Sequence, residues 1–146
     1  MIKQLEPNQE ELDQLMEIWL NANLEAHAFV GKEYWLAKEE HVRELLPQAT
    51  LYVAFSNQRI VGFIGMTDVY IAGLFVEYAF QKQGIGKALL AYVKQLSDEL
   101  TVNVYKENEQ AVRFYLKNGF RITEEANEAE TGAIEYTMVW SREREG

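Results

Sequence analysis

The chain has 146 residues, a formal net charge of −9 and no cysteine. Its length suits one domain with a real hydrophobic core. The acidic balance argues against general nucleic-acid binding, which needs a basic face. The lack of cysteine excludes disulfides, thiolate metal sites and a cysteine nucleophile. There is no apolar run of about 18 residues and no apolar stretch near Met1, so we expect no membrane span, no secretory signal and a cytoplasmic location.

Hydrophobic periodicity predicts a chain of mixed helices and strands. In chain order the predicted elements are a strand at 2–5, helices around 12–20 and 35–46, strands at 51–55, 60–66 and 71–76, a helix from 85 to 96, a strand at 101–105, a helix at 108–118, and strands at 120–123 and 134–140. We predict one domain at 1–140. The tail at 141–146 is too polar to pack and is expected to fray.

Residues 81–87 form a glycine-bearing turn between a predicted strand and a predicted helix. Gly84 and Gly86 let the backbone bend tightly and approach a ligand closely. The helix that follows offers unpaired N–H groups at its positive end, which is typical of a phosphate or pyrophosphate site. A Walker A loop is excluded because Ala88 stands where Ser or Thr is needed, and a dinucleotide fingerprint is excluded by Leu89.

A second motif lies at 108–120. Asn108 is a good N-cap for a short helix, and the pair Asn118-Gly119 is typical of a left-handed helix stop. The apolar stripe of this helix consists of Ala111, Val112, Tyr115 and Leu116.

Together the two motifs resemble those of the GNAT (Gcn5-related N-acetyltransferase) superfamily. Residues 81–86 resemble its pyrophosphate loop, Gln-x-x-Gly-x-Gly, and residues 108–120 resemble its segment Asn-x-x-Ala-x-x-Phe-Tyr-x-x-x-Gly-Phe, in the same order along the chain. The resemblance extends from Ile2 to Trp140 and is strongest to small bacterial acetyltransferases of the YiaC and YjaB type. Two departures are Lys82, where the family usually has Gly, and Tyr78, where it commonly has Pro.

The resemblance implies an α/β (α+β) single-domain GNAT fold. In that fold a mixed, mostly antiparallel sheet of six or seven strands is flanked by about four helices, and a central pair of strands is splayed. The implied activity is transfer of the acetyl group of acetyl-CoA to a primary amine by direct attack in a ternary complex. No metal is expected, because His27 and His41 are too far apart for a zinc motif.

By the same resemblance Tyr115 is the general acid. A phenol, with a pKa near ~10, stays protonated near neutral pH and can donate to the departing thiolate, whose parent thiol titrates near ~8.5. The implied coenzyme-binding residues lie on the strand at 71–76, on the turn and on the helix at 108–118. They are Leu74, Phe75, Val76, Gln81, Lys82, Gln83, Gly84, Ile85, Gly86, Lys87, Asn108 and Phe114.

The general base is the open point of this prediction. Some family members carry a Glu on the strand that corresponds to 71–76, but the matching residue here is Tyr70. The amine can lose its proton through desolvation in an apolar pocket and a water chain. His27, whose unperturbed pKa suits the task, and Asp68 are the side-chain alternatives.

The acceptor pocket is expected among the first two helices and the last hairpin, with His27, Phe29, Trp35 and Tyr70 among its walls. The glutamates at 124–130 form either a solvated acidic loop or a funnel for a cationic amine. Protein lysines, N-termini, polyamines and aminoglycosides remain open as acceptors, and so do a monomer and a homodimer. The alternative function is a non-catalytic acyl-CoA-binding sensor or regulatory module. A nucleotide-binding protein is disfavoured because Ser or Thr and acidic metal ligands are missing from the turn.

Overall fold

Local sequence signals determine where the main elements begin and turn. Asn8 and Glu11 form a capping box at the start of the first helix, with N-to-oxygen distances of 2.9 and 2.8 Å. The Asn108 side chain caps the fourth helix by accepting from Ala111 N at 3.2 Å. Asn57 and Gln58 adopt left-handed φ values of 50° and 67°, which suit a tight hairpin between strands.

The computed structural model describes residues 1–145 and contains one mixed sheet of seven strands. The strands are β1 (Ile2–Leu5), β2 (Thr50–Ser56), β3 (Arg59–Thr67), β4 (Tyr70–Val76), β5 (Glu99–Tyr105), β6 (Arg121–Asn127) and β7 (Ile134–Ser141). The helices are α1 (Gln9–Ala26), α2 (Lys32–Leu45), α3 (Ile85–Lys94), α4 (Glu109–Lys117) and the four-residue α5 (Arg142–Glu145), with 3-10 turns at Leu46–Gln48 and Tyr78–Phe80. The order in the sheet is β1-β2-β3-β4-β5-β7-β6.

Neighbouring strands pair antiparallel except β4 and β5, which are parallel. Helices α3 and α4 pack on one face of the sheet, and α1 and α2 pack on the other. Side chains of β5 alternate between these faces: Val102 and Val104 join the core beneath α3 and α4, whereas Tyr105 packs on the side of α1 and α2. The predicted mixed sheet and its helices are confirmed.

The C-terminal end differs from the prediction. Ser141 belongs to β7, so the last strand continues past residue 140. Arg142 donates to the carbonyl oxygens of Lys94 (2.5 Å) and Ser97 (2.9 Å) and to Asp98 Oδ1 (3.1 Å). A guanidinium offers several donors in one fork and can therefore hold a polar segment against the body of the protein. The expectation that 141–146 cannot pack does not hold for these first two residues; Gly146 lies outside the described residues.

Two leucines in predicted helices are exposed. Leu96 lies beyond the end of α3, and Leu116 faces outward on α4, where Phe114 packs against the core instead. Among residues 1–145 no helix is long and apolar enough to cross a bilayer.

Candidate active site

An opening in the sheet separates β4 from β5. The two strands pair at only two positions, the last being Ile71 opposite Val102, whereas β3 remains paired with β4 as far as Val76. The β3–β4 register shifts so that Ala72 has no partner, which is a β-bulge. Because a bulge bends its strand, the bulge at Ala72 explains why β4 leaves β5 at this residue. The predicted splayed pair is present.

The edge of β4 that faces the opening offers backbone hydrogen-bonding groups. Glu77 N donates to Val61 O of β3 at 2.8 Å. Backbone groups alternate between the two edges of a strand, so those of Leu74 and Val76 point away from β3 and towards the opening. The Val76 carbonyl there accepts from Gln81 Nε2 at 3.1 Å. The backbone of Leu74 is therefore positioned to pair with an extended, peptide-like ligand.

The coenzyme loop, residues 81–87, leads directly into α3. Gly84 has a left-handed φ of 85° and is the N-cap of α3, with no side-chain cap. A Cβ there would meet nothing within 4 Å, so the need for glycine is conformational. The first N–H groups of α3 have no capping side chain and are suited to an anion. Lys82 and Lys87 are exposed beside them, and this set of groups fits a pyrophosphate.

Other predicted coenzyme residues have structural contacts of their own. Gln83 Nε2 donates to Ala79 O at 3.4 Å, and Ile85 packs against the core. Phe75 packs on Phe63 with 5.4 Å between ring centroids. Side chains of these three residues therefore stabilise the loop and strand.

Phe114 closes the space between α4 and the first turn of α3. Its ring lies 3.7 Å from the position that a Cβ on Gly86 would take. That distance is ordinary van der Waals contact, so an alanine would just fit and any longer side chain would have to point elsewhere. Gly86 thus keeps the start of α3 accessible beside Phe114.

Tyr115 lies on α4 with only 5% of its surface exposed. Its ring packs edge-on against Phe114 and Phe120, at 5.1 Å between centroids in each case. In the described part of the chain its hydroxyl has no hydrogen-bond partner, and no fully buried side-chain polar atom lacks one, so the hydroxyl reaches accessible space. Burial, and to a lesser extent the charge of Tyr70, raises the pKa of Tyr115. The phenol is thus held in the protonated form that a general acid needs.

His27 follows α1 and has both ring nitrogens engaged. Nδ1 lies 2.8 Å from Asn23 Oδ1, and Nε2 lies 2.9 Å from Asn108 Nδ2. Burial lowers the pKa of His27 to about 4, so the ring is neutral near neutral pH. These contacts do not match a free base facing an acceptor. The other candidate base, Asp68, is exposed in the turn that precedes β4, away from the opening.

Of the other residues predicted to line the acceptor pocket, one lies in the core and two lie at the surface. Trp35 is buried, packs edge-on against Trp19 and donates its indole N–H to His27 O at 3.3 Å. The structure therefore places Trp35 in the core and not at a pocket wall. Phe29 is exposed and lies edge-on to Tyr105, 5.5 Å between centroids. Tyr70 is partly exposed, and burial of its ring raises the pKa of its phenol.

Strand register brings together a polar face on the side of the sheet that carries α1 and α2. Tyr105 stands opposite Glu135 in the β5–β7 ladder. Two positions along, Thr137 Oγ1 donates to Asn103 Oδ1 at 3.0 Å, and because alternate residues share a face, all four point the same way. Tyr70 stands opposite Thr101 in the β4–β5 ladder, and Thr101 shares a face of β5 with Asn103 and Tyr105. We call Tyr70, Asn103, Tyr105, Glu135 and Thr137 the polar face.

Glu135 is the residue that the sequence analysis missed. Its carboxyl pKa is raised, first by burial and then by the charge of Glu128. Within residues 1–145 it has no hydrogen-bond or ion-pair partner on its side chain. The available signal was the alternation of 134–140, in which the polar residues Glu135 and Thr137 alternate with Tyr136 and Met138, which pack in the core.

Most glutamates in and beside the loop before β7 form hydrogen bonds or ion pairs within the protein. Glu130 accepts from the Tyr34 hydroxyl at 2.6 Å and pairs with Lys38 at 2.7 Å. Glu128 accepts from the backbone N–H groups of 130 and 131, each at 3.0 Å, and Glu125 lies 4.0 Å from Lys106. The loop is therefore tied to α2 and to itself. Among the described residues no group of three or more His, Asp or Glu side chains could hold a metal.

A splayed parallel strand pair, a glycine turn at the start of a helix and a buried phenol beside the opening define a coenzyme-A-dependent acetyltransferase. A family model described as "Acetyltransferase (GNAT) domain" matches residues 5–141. The chain belongs to this family of acetyltransferases, and the predicted family, fold and type of activity are confirmed.

Relatives and solved structures agree with this assignment. The chain is 39% identical over 115 residues to the peptidyl-lysine N-acetyltransferase YjaB of Salmonella typhimurium LT2, covering 78% of this chain and 79% of YjaB. It is 33% identical to the peptidyl-lysine N-acetyltransferase YiaC of Escherichia coli K12, covering 92% and 94%. The solution structure of apo YjaB from Escherichia coli superposes with a TM-score of 0.84 at 30% identity, covering 96% and 97%.

A more distant structure shares the same fold. PaiA N-acetyltransferase of Thermoplasma acidophilum, solved in complex with coenzyme A, superposes with a TM-score of 0.79 at 20% identity, covering 97% of this chain and 99% of PaiA. This structure shows the shared fold, and the family match agrees with the predicted use of acetyl-CoA as acetyl donor.

Proposed function

We propose that this chain transfers the acetyl group of acetyl-CoA to the side-chain amine of a lysine in a protein or peptide, in the cytoplasm. The observation that carries the proposal is the opening after Ile71, which leaves one edge of β4 free beside the core cluster that contains Tyr115, and the coenzyme loop that follows β4. The names of YjaB and YiaC favour a peptidyl lysine among the possible amines.

The proposed reaction needs two proton transfers, one to the sulfur and one from the nitrogen. The neutral amine attacks the thioester carbonyl, a C–N bond forms and the C–S bond breaks. Tyr115 gives its proton to the departing sulfur, and the proton lost by the nitrogen leaves through the polar face to solvent. Hydrogen bonds from the backbone of Leu74 and from the Asn108 side chain are proposed to hold the pantetheine arm in line with this attack.

We propose that the carboxylate of Glu135 binds the ammonium group of the acceptor. A half-buried carboxylate without a partner attracts an ammonium group strongly, because nothing else neutralises it there. The rings of Tyr105 and the exposed Phe29 lie near it on the same side of the sheet and provide apolar surface for the lysine stem. Desolvation lowers the pKa of the bound amine and the carboxylate raises it; attack follows from the fraction of amine whose proton has passed to Glu135, which releases it to solvent.

The test is an acceptor screen that follows thiol release from acetyl-CoA. The arms are a lysine peptide with a blocked N-terminus, the same peptide with arginine in place of lysine and a free N-terminus, a polyamine and an aminoglycoside. We expect the blocked lysine peptide to react fastest and Tyr115→Phe to abolish most of the signal. Turnover of only the free N-terminus or of a small amine would overturn the choice of acceptor.

Calorimetry with acetyl-CoA, CoA and ATP accompanies the screen. We expect both forms of the coenzyme to bind and ATP not to compete at equal concentration. Tight acetyl-CoA binding with no turnover of any amine would favour the alternative of a non-catalytic sensor.

A further inference from the structure

A chain of hydrogen bonds joins the end of α1 to the start of α4 around the end of β5. Asn23 Nδ2 donates to Trp19 O at 2.9 Å, and Asn23 Oδ1 faces His27 Nδ1. On the other side of the ring, His27 Nε2 faces Asn108, whose backbone N–H donates to Tyr105 O at 3.0 Å. Asn23 is 3% exposed and is the one buried polar residue among the described residues. A buried amide of this kind needs a partner for each of its groups.

The backbone fixes the direction of every bond in this chain. Asn108 Oδ1 accepts from Ala111 N–H, so the group that Asn108 turns towards His27 is its N–H₂ donor. His27 Nε2 must then accept, which leaves the single ring hydrogen of a neutral imidazole on Nδ1. That hydrogen points at Asn23 Oδ1, the acceptor end of the second amide. The arrangement allows one tautomer, with Nδ1–H, and no ring charge.

We propose that His27 is a positioning residue: it holds the Asn108 amide, and with it the first turn of α4, in the orientation that coenzyme binding requires. The proposal rests on the coenzyme contact assigned to Asn108 above. After its bonds to His27 and Ala111, Asn108 keeps one N–H and one lone pair. Those groups can serve the pantetheine arm only while the amide is held, because a flipped amide exchanges donor for acceptor and loses the helix cap.

Contacts around the ring support holding rather than proton transfer. The imidazole lies edge-on to Tyr105 at 4.9 Å and is tilted against Trp35 at 5.5 Å between centroids. Tyr105 is the titratable side chain that faces it from β5, and no carboxylate contributes to the electrostatics of the ring. A neutral ring wedged between aromatic groups keeps a fixed angle and a fixed lone pair.

The first test reads the tautomer of the unmodified protein by ¹H–¹⁵N correlation of the imidazole nitrogens near pH 7. We expect an Nδ1–H tautomer for His27 and a rapidly averaging ring for the exposed His41. An Nε2–H tautomer or a protonated ring at His27 would overturn the proposal. This measurement needs no acceptor and no coenzyme, so it stands even if the proposed acetyl transfer fails.

The second test measures the Kd for CoA by calorimetry in variants of both residues. His27→Phe keeps an aromatic ring but leaves the Asn108 donor without a partner, so we expect at least about tenfold weaker binding, as for one unsatisfied buried group. His27→Gln can accept from Asn108 and donate to Asn23, and we expect it to recover most of that loss. The exposed His41→Phe is the matched control and should bind as the wild type does.

A double-mutant cycle separates positioning from packing. Asn108→Ser keeps a helix cap through its hydroxyl but has no amide to orient. In that background we expect His27→Phe to change the Kd for CoA by less than about twofold. If the two effects multiply instead, or if folded His27→Phe binds CoA with wild-type affinity, His27 does not act through Asn108. If the wild type binds no CoA while its Nδ1–H tautomer is present, the proposed function fails and the hydrogen-bond assignment stands.

Discussion

The coenzyme loop and the polar face lie on either side of the opening and are built from different groups. The loop offers backbone N–H groups of α3, a left-handed glycine and two exposed lysines. The polar face offers hydroxyls, an amide and the carboxylate of Glu135, carried by three strands. Backbone donors need only the right chain path, whereas side chains define shape and charge one residue at a time. With the acceptor placed on the polar face as proposed, we expect substitutions there to change acceptor choice while coenzyme binding persists.

Tyr115 stands between the two regions, and its loss should give the largest effect. Tyr115→Phe preserves the ring contacts with Phe114 and Phe120 but removes the proton donor. Loss of one general acid costs about 10²–10⁴-fold in rate, so we expect kcat to fall in that range while the Kd for acetyl-CoA stays within about threefold. Steady-state kinetics and calorimetry on the same preparation check this. Wild-type kcat in the folded variant would show that the phenol is structural.

His27 lies between Tyr105 of the polar face and Asn108 at the start of α4, and its burial predicts how stability depends on pH. The unfolded chain takes up a proton at this ring near pH 6.5, whereas the folded protein does so only near pH 4. Between these values the unfolded state binds more protons, so the free energy of unfolding falls as pH falls through this window, by up to about 3 kcal/mol. Most of this loss should occur between pH 7 and pH 5.

Urea unfolding at pH 7 and pH 5 measures this dependence. In His27→Gln the fall in the free energy of unfolding between pH 7 and pH 5 should be smaller than in the wild type by about 2 kcal/mol. Equal pH dependence in the wild type and His27→Gln would show that the ring titrates normally and that its burial does not matter.

Gly86→Glu tests the coenzyme side of the comparison. The new side chain would leave the helix next to Phe114, where a Cβ has ordinary contact distance, and would place a negative charge against the pyrophosphate. We expect acetyl-CoA binding to weaken by more than about 2 kcal/mol, roughly 30-fold. Gly86→Ala has room for its methyl group and should lose far less. Unchanged affinity in folded Gly86→Glu would remove this loop from the site.

The coenzyme loop could be predicted from the sequence more fully than the polar face, because the loop is one continuous segment and the polar face combines side chains from three strands. The coenzyme loop is contiguous, and glycine at 84 has a local conformational cause, so the motif and the capped α4 were predictable. The opening was inferred by resemblance, but the bulge at Ala72 that produces it depends on how β3 and β4 pair. The position of Glu135 opposite Tyr105 and the burial of Trp35 could not be predicted, because strand register and the depth of the α1–α2 packing decide which side chains meet.

Glu135→Gln tests the polar face. The amide keeps the size of the side chain and removes its charge, so we expect KM for a lysine peptide to rise about tenfold, the scale of one partly screened charge pair. In the wild type, kcat/KM should fall as pH drops through the raised pKa of Glu135, because only the ionised form attracts the amine. This fall of kcat/KM at low pH should be absent from Glu135→Gln and unchanged in the exposed Glu124→Gln.

Acceptors with different amine pKa values separate this carboxylate from the amine itself. If the rising limb of kcat/KM moves with the acceptor's pKa and is the same in Glu135→Gln, deprotonation depends on the amine and solvent, and Glu135 is no part of the proton path. If a low-pH limb is common to all acceptors and survives in Glu135→Gln, Asp68 is the next carboxylate to replace.

The smallest expected effect concerns backbone strain in the coenzyme loop. Lys82 has a left-handed φ of 64°, a conformation that costs a non-glycine residue roughly 1 kcal/mol. Lys82→Gly should remove this strain, and Lys82→Ala, which also removes the charge, should keep it. We expect the glycine variant to be more stable than the alanine variant by about 0.5 kcal/mol in urea unfolding, since the greater freedom of glycine in the unfolded chain offsets part of the gain. Both variants should weaken acetyl-CoA binding by the same few-fold factor, because an exposed lysine contributes only its screened charge. A larger loss of affinity in the glycine variant would mean that the rigid left-handed lysine itself orders the loop for the pyrophosphate.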